Sequence, residues 1–398
     1  MDVAFMSVSR SDRLQSPANQ SDTEWHGVLP DASISQLIAD GAIRLGSNGV
    51  GAKQVQPASI DLTLGRRAWR VRASFLPRPG RSVRDRLEDG LAMHELDLSE
   101  GAVLERGCVY LVELRESLKL PTGLKGAANP KSSTGRIDVF VRLVAECAGA
   151  KAAVFDQIPD AYDGPLYAEV CPRTFSIVVR EGSRLNQARF KAGNATLSDQ
   201  DLSALHQEHP LVNSAAEIDA GLRVSVDLSG RLHDRDNSSH ARPIGWRARH
   251  HTGLIDVDLP NAYRAEDYFD PIFAQTNGML ILDPDEFYIL ASKEALAVPP
   301  AFAAEMAAIS PGLGEFRVHY AGFFDPGFGW SENVDLNGSR AVLEVRSHDA
   351  PFVLEDGQPV ARLTYEAMNA RPNRLYGEDM ASNYQGQSLK LSKHFRTV

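Results

Sequence analysis

Between residues 29 and 190 apolar residues recur in short alternating runs, broken every few positions by Pro, Gly or Asp. Gln56-Pro-Ala-Ser-Ile-Asp-Leu-Thr-Leu-Gly65 alternates apolar and polar side chains and ends in a glycine turn, the pattern of a half-buried strand. Residues 108–114, 166–171 and 175–179 carry similar β-like patterns. Helical signals are confined to two places. Asp31-Ala-Ser-Ile-Ser-Gln-Leu-Ile-Ala-Asp-Gly41 predicts a short helix with Ser33 as N-cap and Gly41 as stop. The polar stretch 194–206 predicts a connecting helix. Regularly spaced short strands with few helices place the chain in the mainly β class, as a barrel or sandwich rather than a layered α/β sheet.

The second half echoes the first. Leu254-Ile-Asp-Val-Asp-Leu-Pro260 echoes Ser59-Ile-Asp-Leu-Thr-Leu-Gly65. Phe287-Tyr-Ile-Leu-Ala-Ser-Lys-Glu-Ala-Leu-Ala-Val-Pro299 echoes Val109-Tyr-Leu-Val-Glu-Leu-Arg-Glu-Ser-Leu-Lys-Leu-Pro121, and Ala341-Val-Leu-Glu-Val-Arg346 echoes Leu166-Tyr-Ala-Glu-Val-Cys171. Three echoes in one order predict an internal duplication, against the alternative of chance likeness between β-strands. The expected layout is a mobile polar tail over 1–28, a first repeat over 29–192, a connecting segment over 193–216, a second repeat over 217–370 and a C-terminal tail over 371–398.

At 398 residues the chain has room for two cores, and its net charge of −10 argues against wholesale binding to a nucleic-acid backbone. A small phosphorylated ligand remains compatible with that charge. No apolar run approaches the roughly 20 residues of a membrane span, and the first 20 residues lack the apolar stretch of a signal peptide. The expectation is a cytoplasmic protein with no membrane partner. Cys108, Cys147 and Cys171 are odd in number and widely spaced, so they predict neither a disulfide framework nor a zinc site. His250 and His251, with His233 and His240 nearby, have no supporting Asp, Glu or Cys spacing for a metal site.

One run is not explained by core packing. Asn129-Pro-Lys-Ser-Ser-Thr-Gly-Arg136 sets small hydroxyl residues between two cations, next to a glycine that lets the backbone come close. Hydroxyls, backbone N–H groups and charge-assisted bonds from Lys131 and Arg136 make it a candidate anion cradle. A polar turn with a helix N-cap is the competing reading.

The stretches Gln56–Gly65, Lys131-Ser-Ser-Thr-Gly-Arg136, Ala321-Gly-Phe-Phe-Asp-Pro-Gly-Phe328 and the tail Tyr376…Tyr384-Gln-Gly-Gln387 together resemble the successive motifs of the dCTP deaminase and dUTPase superfamily. The resemblance is strongest to bacterial 2′-deoxycytidine 5′-triphosphate deaminases, in a long form carrying the unit twice. It implies tandem distorted β-barrels of the dUTPase-like (β-clip) kind and hydrolytic deamination of dCTP to dUTP. It also implies sites shared between neighbouring units of a homo-oligomer, Mg²⁺ carried by the triphosphate, and dTTP as a plausible inhibitor. It implies chemistry without zinc, and the H-x-E…P-C-x-x-C signature of zinc deaminases is missing from the sequence.

Carried over motif by motif, Lys131, Ser132, Ser133 and Arg136 resemble the segment that holds triphosphate, with Ser132 and Arg136 also helping to fix the reacting water. Ala321 resembles a residue whose backbone contacts base or water, Asp325 one that approaches the sugar, and Phe328 an aromatic beneath the deoxyribose. Tyr376, Tyr384 and Gln387 resemble tail residues that fold over the nucleotide. Asn383 stands where the resemblance leads one to expect Lys.

The two halves are incomplete in complementary ways. The first keeps the cradle but has Ile158-Pro-Asp-Ala-Tyr-Asp-Gly164 for the Asp-Pro-Gly loop, and the second keeps that loop but has Ala308-Ile-Ser-Pro-Gly312 for the cradle. One composite site is therefore expected, cradle from the first half, loop and base from the second, formed either within one chain or between chains. Glu344 and Glu169 are the candidate general acid/bases, with Glu344 preferred because it follows the intact loop; a structural ion pair at a barrel rim is the plain alternative for either. His319, just before the loop, either touches the base or caps a strand, and residues 330–338 read as a surface loop. Two other functions stay open: pyrophosphate hydrolysis of dUTP, alone or combined with deamination, with Asp325 activating a water; and a nucleotide-binding regulator without turnover.

Overall fold

The alternating run around residue 110 becomes the strand Val109–Lys119, whose Tyr110, Val112, Leu114 and Leu118 point into a core. The computed structural model describes residues 25–46, 49–146, 152–230, 243–308, 316–319, 322–331, 338–347, 349–378 and 389–396. The fold is mainly β with short helices, as the pattern predicts. In the first half one sheet runs in the order Ala92–Asp97, Leu64–Val71, Val109–Lys119, Asp163–Pro172, Val139–Ala145. A second sheet sets Asn186–Ala192 between Gly27–Val28 and Leu124–Pro130, with Ile60–Leu62 also on Asn186–Ala192.

The second half has the same order. Phe269–Ile272, Gly245–Ala248, Tyr288–Leu296, Ser339–Ser347 and Phe316–His319 form one sheet, and Leu222–Ser225, Pro359–Ala367, Phe302–Ala308 and Phe323–Phe324 the other. Glu169 and Glu344 hold corresponding places. Glu169 faces Leu111 and Arg142 in register, and Glu344 faces Ile289 and His319. The connecting helix is Asp199–Glu208, capped by the Ser198 hydroxyl accepting from the Asp201 N–H at 3.2 Å.

Three expectations are corrected. Within the stretch expected as tail, Gly27–Val28 forms a strand paired with Asn186–Ala192. The first helix is Asp31–Ala39, with Pro30 rather than Ser33 at its N-cap. Asp31 Oδ1 accepts from the N–H groups of Ala32 and Asn373 at 2.8 and 2.9 Å, which starts the helix earlier and leaves Ser33 inside its first turn. Gly41 does end it, at φ +74°. The echo at residues 254–260 is not between corresponding strands. Leu222–Ser225 takes the place of Ile60–Leu62, whereas Ile255–Asp256 pairs in parallel with the first half's Ile177–Val179. Ile255 is fully buried in the first-half core and Arg180 holds Asp256 with two bonds, of 2.8 and 2.5 Å, so tertiary contacts decide which sheet the segment joins.

The cores interlock across the connecting helix. The larger contains Ile255, Phe269, Phe287, Leu391 and Phe395 beside first-half residues, and the smaller is built from 202 onward. Phe175 and Phe395 both meet Phe269 edge-on, at centroid distances of 5.5 and 5.3 Å. A buried ion pair also crosses: Arg346 Nε lies 3.2 and 3.1 Å from the two carboxylate oxygens of Asp138, and Arg346 Nη2 donates to Thr174 Oγ1 at 2.7 Å. Cys171 is buried and Cys108 half-buried, both as free thiols, while Cys147 lies outside the described residues. No helix among the described residues is long and apolar enough to cross a membrane.

Candidate active site

Pro130 has no N–H to continue the ladder of Leu124–Pro130, and the chain turns there into one helical turn, Ser132–Gly135. The turn ends at Arg136, which is buried and donates from Nη1 to Lys390 O at 2.9 Å. Facing it is the loop after Phe323–Phe324. Gly327 sits at φ +95°, where an added Cβ would lie 2.8 Å from Leu375 Cβ and 2.9 Å from Tyr376 N, so glycine is required for the loop to pack on the chain near Tyr376. Phe328 packs edge-on to Phe324 at 4.9 Å and beside Tyr376 at 5.6 Å.

Cradle and loop line one cavity of about 400 Å³, within the range of small-molecule sites. Lys131, Ser132, Ser133, Arg136, Asp325, Phe328, Tyr376 and Glu344 all contribute to its wall. Ala321, Asn383, Tyr384 and Gln387 lie outside the described residues, as do His233, His240, most of the expected replacement cradle at 309–312 and residues 332–337. His319 is the backbone partner of Glu344. His250 pairs with Glu286 at 2.8 Å in an exposed position, and among the described residues no group of three His, Cys, Asp or Glu converges on a metal position.

Glu344 is buried in the wall, its Oε1 3.8 Å from Arg136 Nε. Burial pushes its carboxyl up to about 8, against the opposing pull of the Arg136 charge and of its own backbone N–H. Asp325 is held by Arg189, whose Nη2 donates to Oδ1 at 3.2 Å, and its carboxyl is also raised by burial, with Arg189 opposing. Arg189 crosses from the first half and stacks on Phe323 at 4.1 Å. An Asp so engaged is badly placed to activate a water.

Glu169 does not reach the cavity. Burial raises its carboxyl too, but bonds from the Ser74 side chain and the Phe75 N–H oppose the shift, so the segment at 74–75 occupies the position that open space takes around Glu344. Glu169→Gln is expected to keep turnover within about twofold of wild type. A loss comparable with that from Glu344→Gln would reverse the preference for Glu344.

The pattern in the sequence missed part of the wall. Lys53, Gln56, Asp61, Arg184, Gln187, Asp258 and Lys393 also line it. The Lys131 ammonium contacts the Asp61 carboxylate, and Arg184 Nη1 lies 3.7 Å from the other Asp61 oxygen. Asp61 and Gln187 lie opposite each other on paired strands. Asp61 was visible as the acid of the Ser-Ile-Asp-Leu run; Lys393 was visible only as a cation in the alternating Leu389-Lys-Leu-Ser-Lys393.

Residues 25–194 match the family model of the 2′-deoxycytidine 5′-triphosphate deaminase (DCD) N-terminal domain, and residues 198–395 that of the DCD C-terminal domain. The fold is similar to the crystal structure of 2′-deoxycytidine 5′-triphosphate deaminase from Agrobacterium tumefaciens, at a TM-score of 0.79 and 51% identity, covering 86% of this chain and 99% of that one. A dCTP deaminase of Natronomonas pharaonis is 28% identical over 126 residues, 31% of this chain and 60% of its own length. A Halobacterium salinarum protein named dCTP deaminase, dUMP-forming, is 27% identical over 118 residues, 30% of this chain and likewise 60% of its own length. With both halves matched in order and a common cavity between them, the chain belongs to the 2′-deoxycytidine 5′-triphosphate deaminase family.

Proposed function

We propose that this protein hydrolytically deaminates dCTP to dUTP and ammonia, at one composite site formed within the chain by the two halves. The observation that carries this reading is Glu344, a buried carboxyl with a raised pKa, in the same cavity as the Lys131–Arg136 cradle and 3.8 Å from Arg136. The common strand order of the halves supports their origin by duplication, with the cradle retained in one and the base in the other.

In this reading the triphosphate lies along Lys131, Ser132, Ser133 and Arg136, and the deoxyribose between Phe328 and Asp325. The ionised Glu344 takes a proton from water as the oxygen bonds to C4, and delivers it to N3. It then takes the proton of the new C4 hydroxyl and hands it to the amino group, which leaves as ammonia while C4=O forms. Arg136 balances the charge on the carboxylate through the cycle. Mg²⁺ carried by the triphosphate would offset part of its charge, alongside the Lys131 and Arg136 cations of the cradle.

Incubation with dCTP and Mg²⁺, followed by ion-exchange separation of the nucleotides, tests the proposal. Accumulation of dUTP is expected; unchanged dCTP would refute it, and dUMP with pyrophosphate would add the second step named for the Halobacterium relative. The Arg189–Asp325 pair favours arrest at dUTP.

The pH dependence has a definite sign. Ionised Glu344 is the active form, so kcat/KM should rise with pH at unit logarithmic slope and level off near 8. Between pH 6 and 8 that is roughly a 50-fold increase. Initial rates at constant ionic strength give the profile, and a flat line over this range would place the base elsewhere.

A further inference from the structure

The segment 389–396 reaches the first half at the cradle and is pinned at several further points to residues 257–269 of the second half. Leu391 and Phe395 are buried in the larger core. Ser392 Oγ donates to Ser133 O at 2.7 Å, so the strap touches the cradle itself. His394 Nε2 bonds Val257 O at 2.9 Å, while its Nδ1 meets Ser392 Oγ at 2.8 Å. Backbone N–H groups of Asn261 and Ala262 donate to Lys393 O and His394 O, each at 2.9 Å. Between these anchors Lys393 joins the cavity wall beside Lys131, Arg184, Asp61 and Asp258, at the end that carries the cradle.

We propose that Lys393 is a triphosphate-binding residue, held by the strap so that its ammonium and that of Lys131 grip the polyphosphate together. The inference rests on the dCTP reading and deepens it. In this partly buried wall the Lys131 and Arg184 charges repel the Lys393 ammonium, while Asp258 and Asp61 attract it. Burial, with Lys131 as the next cause, accordingly holds the Lys393 pKa below the ordinary lysine value. A polyanion placed between Lys131 and Lys393 turns the repulsion into two charge-assisted contacts, which ties affinity to the phosphate chain rather than to the base.

Titration calorimetry with dCTP and with dCMP tests this, in the Glu344→Gln background so that nucleotide is not consumed. Lys393→Met is expected to weaken dCTP binding by roughly 10- to 100-fold and dCMP binding by less than about threefold, with Lys393→Arg close to the parent. In the active enzyme the same substitution should raise KM far more than it lowers kcat. Unchanged dCTP affinity would overturn the proposal, and so would an equal loss for dCTP and dCMP, which would mark Lys393 as a support of the strap. Should Lys393→Met fail to fold, Lys393→Gln beside Lys393→Arg carries the same comparison. If the wild type binds dCTP through Lys393 yet forms no product, the deaminase reading fails and this one stands; if dUTP forms with KM indifferent to Lys393, the reverse holds.

Discussion

Replacing Glu344 by glutamine is expected to lower kcat for dCTP by roughly 10²- to 10⁴-fold, the range of a lost general acid/base, while dCTP still binds. The amide keeps the shape of the side chain in its buried position in the cavity wall, so its packing there is preserved. What it loses is the capacity to take a proton from water and return it. Single-turnover assays beside calorimetric binding separate the two effects, and near-normal turnover would remove Glu344 from the mechanism. Stability gives a second reading. A carboxyl raised from 4.5 to about 8 by folding contributes fully below pH 4.5 and loses its contribution as pH rises through about 8. The glutamine has no such loss, so the melting temperature of the variant should gain on wild type with rising pH.

Removing the Arg346 guanidinium should have the largest effect on stability. Arg346→Met leaves Asp138, which is fully buried, with the Thr174 hydroxyl at 2.5 Å but without its cation. Breaking one side of a buried pair costs about 3–5 kcal/mol, because the remaining charge stays desolvated. Denaturant titration measures this, and the double variant Asp138→Asn with Arg346→Met is expected to recover most of the loss. A single variant as stable as wild type would show the site open to water. Arg346 lies two residues beyond Glu344 and Asp138 two beyond Arg136. The same ion pair therefore holds the strand of the base against the turn of the cradle, and activity should fall with stability in the single variant.

Much of this was legible in the chain. Alternation gave the strands, and the complementary losses in the two halves, a cradle without a loop and a loop without a cradle, pointed to one shared site. The choice between Glu169 and Glu344 could be biased by the neighbouring loop but not decided, because both occupy the same place on corresponding strands. The difference lies in what covers them, Ser74 and Phe75 in one case and the cavity in the other. The segment at 254–260 misled for a related reason. An Ile-Asp alternation announces a strand but not its sheet, and here the buried Ile255 and the Arg180–Asp256 bonds attach it to the other half. Lys393 was hidden because a lysine in a tail has no local signature; only the anchoring of Ser392 and His394 turns it toward the cavity.

The placement of Leu391 and Phe395 bears on how the protein comes into being during translation. The half synthesised first lacks pieces of its own interior until residues near 395 have left the ribosome. Until then, the surfaces awaiting Ile255, Phe269 and Phe395 are open to solvent and to other chains. A ribosome that stops a dozen codons short of Phe395 would therefore release a chain damaged at its opposite end, with the turn Ser132–Gly135 left unsupported although every residue of it had been made.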